Sequence, residues 1–192
     1  MQNSRFSLKE IMALFRRKPP ISAAGPRIAG SRPVMSDGDV VGAALSPGFG
    51  PDPTAWHTIN RDGRLRQEME IWDYPSARFR QEEVDVPSAE LEMILATADR
   101  IGFRDLQNCY EDYKVTDEET LWIGISLPDG LKSVEAYAPI WLVAQENNGD
   151  MVRFLELWAC IHRFAPFPSP YNDPERRVAL VRQLIQLARE MG

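Results

Sequence analysis

From Trp56 onward the chain alternates apolar and polar residues with a period of two, then shifts to a helical period, then repeats both patterns. His57-Thr58-Ile59-Asn60-Arg61 and the run Arg64 to Trp72 flank Asp62-Gly63, a pair that favours a tight β-turn, so these runs predict a hairpin with Ile59, Met69 and Ile71 facing a core. Phe79 to Val86 predicts a third strand ending at Pro87. Ser88 is an expected N-cap for a helix whose stripe is Leu91, Ile94, Leu95, Ala98 and Ile101, with Gly102 as its left-handed terminator and Phe103 folding back on the last turn. Leu121 to Leu127, the turn Pro128-Asp129-Gly130 and Leu131 to Ala138 predict a second hairpin.

Asp150 is the expected cap of a core helix carrying Met151, Phe154, Leu155, Leu157, Trp158, Ile161, Phe164 and Ala165. Asp173-Pro174 supplies a cap and first-turn proline for a terminal helix over 174–191. Its apolar set, Val178, Leu180, Val181, Leu184, Ile185, Leu187, Ala188 and Met191, covers more of the surface than one docking stripe needs. Docking on its own domain is the favoured reading, with self-association through this helix as the alternative. The expected fold is α+β: an antiparallel sheet of about five strands in two hairpins, with helices on one face.

The N-terminal third reads differently. Ser7-Leu8-Lys9-Glu10 has the form of a capping box, and Leu8, Ile11, Met12 and Phe15 follow at helical spacing. Arg16, Arg17 and Lys18 fall where a helix dipole favours cations, and Pro19-Pro20 ends the segment. Three turns are marginal alone in water, so such a helix persists only when docked. From Pro19 to Pro53 the chain is rich in Pro, Gly, Ser and Ala and reads as a linker. The expected organisation is a basic arm and linker over 1–53 and a folded domain over 54–192.

Charge sharpens that division. The 192 residues carry a net −6, yet the first 35 hold seven basic residues against Glu10 alone, a net +6, which leaves −12 on the rest. A body of that sign repels phosphate backbones, so no nucleic-acid partner is expected. With 44% hydrophobic residues the chain can build a substantial core without disulfides, and Cys109 and Cys160, lacking CxxC spacing, read as reduced thiols in a cytosol-like compartment. No apolar run reaches the length of a membrane span, so the expected state is cytoplasmic, or peripheral to a membrane. Residues 1–32, basic and nearly free of acid, also fit a transit peptide.

Catalytic constellations are not evident. Cys160 and His162, two apart on a helix, point about 200° apart and cannot be partners. His162, between Trp158 and Ala165, reads as a satisfied core histidine, and His57 could meet Cys109 only through tertiary structure. The acidic run Glu111-Asp112 to Asp117-Glu118-Glu119 lacks the oxygen spacing and central glycine of a calcium loop and reads as solvated, as do Glu82, Glu83 and Asp85. Glycines 25, 30, 38, 42, 48 and 50 follow no phosphate-loop spacing. The segment Ala165 to Tyr171 is a stiff proline-rich connection. No catalytic residue, metal or cofactor is assigned.

Ile59-Asn60-Arg61-Asp62-Gly63-Arg64-Leu65, the helix ending in Gly102-Phe103, and then Tyr110 and Thr116-Asp117 resemble a small bacterial α+β domain family of unknown function, over residues 54 to 140. That family places a Cys-Pro turn before its first strand, where this chain has Pro51-Asp52-Pro53-Thr54. The resemblance implies the hairpin fold and no activity.

The functional expectation is a non-catalytic accessory or adaptor protein. Leu8, Ile11, Met12, Phe15, Arg16, Arg17 and Lys18 would bind a protein complex or an anionic membrane surface. The alternatives are a small enzyme whose site is assembled only in three dimensions, and an acidic inhibitor or immunity-type binding protein.

Overall fold

A computed structural model describes residues 35–47, 54–73, 76–111, 118–166 and 174–191. Chain order is β1 (Asp39–Ser46), β2 (Thr54–Asn60), β3 (Arg64–Asp73), β4 (Ser76–Asp85), α1 (Ser88–Arg100), a 3-10 turn (Phe103–Asp105), β5 (Cys109–Tyr110), β6 (Thr120–Leu127), β7 (Gly130–Tyr137), α2 (Pro139–Glu146), α3 (Gly149–His162) and α4 (Pro174–Met191). The strands form one mixed seven-stranded sheet in the order β4-β3-β2-β1-β6-β7-β5. Only the two-residue β5 runs parallel to its neighbour.

The two expected hairpins are present as β2–β3 and β6–β7. The sheet exceeds the expectation of about five antiparallel strands because of β1 and β5. Strand β1 lies inside the stretch expected to be linker, and it sits at the centre of the sheet, antiparallel to both β2 and β6. Its small residues disguise it. Gly42 pairs with Gly124 on β6, and the Trp122 indole lies over both, so that a Cβ on Gly124 would come within 2.3 Å of the ring. The composition that suggests a linker is the composition a flat-lying tryptophan requires.

One sheet face carries the core. Val41, Ala43, Leu45, Ile59, Leu65, Leu121, Ile123, Ile125, Val134 and Ala136 are all buried in one cluster with residues of all four helices. That pattern is the period-two alternation of half-buried strands. From α1 come Leu91, Ile94, Ala98 and Ile101, as the sequence stripe implies, and from α3 Met151, Phe154, Leu155, Leu157, Trp158 and Ile161. Helix α4 contributes Val178 and Val181, so it docks on its own domain along that stripe.

Helix ends follow the sequence in part. Gly102 adopts φ 66°, ψ 41° just past α1, and Phe103 beyond it is buried. Pro87, not Ser88, occupies the N-cap of α1 and makes no side-chain cap. At α3 the cap is Asn148, whose side chain accepts from the Asp150 and Met151 N–H groups. Asp150 instead accepts from the Tyr110 hydroxyl at 2.7 Å and from Arg153 at 2.5 Å. Arg100 with Glu156, and Arg163 with Glu90, tie α1 to α3.

Candidate functional site

Polar groups in a core are costly unless paired, so the buried ones mark where structure and chemistry compete. The described residues hold two such clusters.

The first lies where the chain enters β6. Glu119 is two residues before Leu121 and so points, like Leu121, Ile123 and Ile125, to the core side, where it is 1% exposed. Its backbone carbonyl accepts from the Ala138 N–H at 2.8 Å, and Ala138 holds a left-handed backbone (φ 50°) as β7 turns into α2. Beside it, the Glu118 N–H donates to the Tyr137 hydroxyl oxygen at 3.3 Å. Burial, then the hydrogen bond and repulsion from Glu119, push the Glu118 carboxyl up to about 7. A hydrogen bond from Trp141 on α2 and the charge of Arg177 on α4 pull the other way. The Glu119 Oε1 atom has no hydrogen-bond partner among the described residues. A Glu118 carboxyl raised in this way can take up or release a proton near neutrality, where β6, α2 and α4 meet.

This corrects the reading of the acidic run as solvated. Glu119 is interior, and the signal was its place in the β6 alternation; residues 112–117 lie outside the described residues. Glu82, Glu83 and Asp85 are exposed, as expected.

The second cluster joins β2 to α3. His57, opposite Gln67 on β3, stacks on His162 with ring centroids 5.0 Å apart and planes 12° from parallel, and Trp158 meets His162 edge-on at 5.0 Å. Burial, reinforced by His162, holds His57 well below the usual imidazole range, and burial lowers His162 to about 4. Both rings are therefore neutral at physiological pH. His162 is a core histidine, but not a satisfied one: neither of its ring nitrogens, nor the His57 Nε2, has a hydrogen-bond partner among the described residues. Cys109 stands apart from both histidines on the surface, with its Sγ 3.4 Å from Glu111 Oε1. Cys160 is partly buried and also a free thiol.

A third feature is a cleft of about 300 Å³ between α1, the 3-10 turn and the β6–β7 turn, lined by residues including Leu95, Ala98, Phe103, Ile125 and Leu127. Arg104, also lining it, reaches Asp129 at 3.4 Å. Among the described residues no group of three or more His, Cys, Asp or Glu side chains is placed to hold a metal ion, and no helix is long and apolar enough to cross a membrane.

The expected partner-binding residues Leu8, Ile11, Met12, Phe15, Arg16, Arg17 and Lys18 lie outside the described residues. So do the side chains of Leu180, Leu184, Ile185, Leu187, Ala188 and Met191, on which self-association through α4 rested. The fold defines the chain as an α+β protein built on a mixed sheet. No family model and no curated protein matches it.

Proposed function

We propose that the protein is a non-catalytic accessory or adaptor protein. Its basic N-terminal segment docks through Leu8, Ile11, Met12 and Phe15, with Arg16, Arg17 and Lys18 beside them, on an anionic surface that offers an apolar seam. The observation that carries this reading is the segregation of charge, +6 on residues 1–35 against −12 on the remainder. A helix with an apolar stripe and terminal cations gains stability from a surface of opposite charge, while the acidic body is held off that surface by repulsion. The two histidines of the body are buried at 1% exposure, which leaves them suited to setting stability.

The test compares the full chain with a variant lacking residues 1–34. The cut spares Met35, whose thioether lies over Gly42 and Gly124. Flotation with phosphatidylserine-containing vesicles, with phosphatidylcholine vesicles as control, reads the membrane source of negative charge. Native co-purification with a larger complex reads the protein source. The reading expects one of these associations, lost on deletion while the body melts as before. An intact chain that binds neither, or a truncated chain that binds as well as the whole, overturns it.

A further inference from the structure

Strand β4 ends the sheet, hydrogen-bonded on one side to β3, and no strand among the described residues pairs with its other side. The opposite edge, β5, is two residues long and offers little backbone to a partner. Strand β4 is different. Its register sets Val84, Glu82 and Arg80 beside the buried Leu65, Gln67 and Met69, on the core side of the sheet, yet all three are exposed. The helical layer therefore stops short of this strand. On the open side Phe79 is 69% exposed, an unusual position for a large aromatic residue on a strand.

A long, regular edge with free N–H and C=O groups is a template for another strand, and charged side chains on an edge ordinarily discourage such pairing. Here the charges are sorted along the strand. In Ser-Ala-Arg-Phe-Arg-Gln-Glu-Glu-Val-Asp both arginines precede Gln81 and all three acids follow it. Against a parallel copy, like charges would meet. Against an antiparallel copy, each basic half meets an acidic half, so the pattern selects one orientation instead of forbidding all.

We infer that β4 pairs antiparallel with β4 of a second copy of this chain, making one continuous sheet through both. A two-fold axis perpendicular to the sheet keeps like faces together, so residues of the same parity oppose one another. Centring the axis on Gln81 sets Arg80 of each copy opposite Glu82 of the other. On the open face it sets Phe79 against the methylenes of Glu83. Within one chain Arg80 and Glu82 already lie 3.9 Å apart, a half-exposed contact that contributes little and is easily shared with a neighbour. Glu83 and Asp85 are drawn toward Arg64 on the neighbouring strand β3, at 3.5 and 3.8 Å, so the cross-copy ion pairs fall to Arg80 and Glu82. The inference is independent of the N-terminal segment.

The experiment is sedimentation velocity on the full chain over a hundredfold range of concentration, at low and high salt. The expected result is a reversible monomer–dimer equilibrium that weakens with salt. Arg80→Glu and Glu82→Arg should each weaken dimerisation at least tenfold, and the double variant R80E/E82R should restore it, since the double reversal recreates both cross-pairs. Circular dichroism checks that each variant is folded. Hydrogen exchange adds a second reading, because the outward-facing β4 amides should gain protection as concentration rises. A chain that stays monomeric throughout overturns the inference. So does a dimer indifferent to Arg80→Glu, which would point to α4 instead, or a double variant that fails to recover.

Discussion

His57 and His162 lie face to face inside the core, each 1% exposed, one from a strand and one from a helix. Two imidazoles in this position stay uncharged because a proton on either would be stripped of water and would repel a proton on the other.

That stack predicts acid sensitivity. Both folded-state values lie below the unfolded value of 6.5, so the unfolded chain binds more protons below that pH. The histidine contribution should be complete above pH 6.5 and fall as pH drops toward 4, by up to about 1.4 kcal/mol per pH unit for each histidine. Thermal melts from pH 7.5 to 4.5 read the slope. His162→Phe, which keeps an aromatic ring beside Trp158, should reduce it, and an unchanged slope would assign the acid limb to other groups.

Glu118 predicts the opposite limb. Its folded value of about 7 lies above the ordinary carboxylate value of 4.5, so the folded state holds the proton more tightly and its contribution is lost as pH rises from 4.5 through 7. That contribution should therefore fall between about pH 4.5 and pH 7, and Glu118→Gln, unable to ionise, should remove the fall. Tryptophan emission followed through the same range should show a titration that Trp141→Phe removes.

Gly102 predicts a backbone effect with no clash behind it. A Cβ there would meet only Arg153 Nη1 at 3.5 Å and Asp105 Oδ2 at 3.6 Å, ordinary contacts, yet φ is 66°. Gly102→Val should cost on the order of 1–2 kcal/mol, while Glu92→Gln on the exposed face of α1 should leave the melting temperature unchanged. Equal melting temperatures would show that α1 tolerates a side chain at its terminator.

Gly124 predicts the reverse, a clash on an ordinary strand. Alanine normally improves a strand position over glycine. Here its methyl would come within 2.3 Å of the Trp122 ring, so Gly124→Ala should destabilise by about 1–3 kcal/mol. A red shift in tryptophan emission should accompany it as the indole is displaced. A more stable variant with unchanged emission would refute the close packing.

The sequence was most legible where local chemistry decides the structure. Asp62-Gly63 and Asp129-Gly130 mark their turns, Gly102 its helix end and Pro174 a helix start, and the stripes of α1 and α3 face the core as spaced. Strand β1 was hidden because Gly42 answers to the indole of Trp122, a residue distant in sequence that pairs opposite Ala44. Helix α2 was hidden because it starts from Ala138 in a left-handed conformation that no capping residue announces. The histidine stack and the placement of Glu119 depend on β2 meeting α3 and on the phase of β6. Neither is a property of any short window.

The place of β1 also orders events during synthesis. Strands β1 to β4 form a meander of nearest neighbours that can assemble as it leaves the ribosome. The second partner of β1, however, is β6, and until Leu127 has emerged the middle strand of the finished sheet is an unprotected border. Until then the backbone groups of Val41 to Leu45 on that side have no strand to pair with, and the arrival of the second hairpin supplies it.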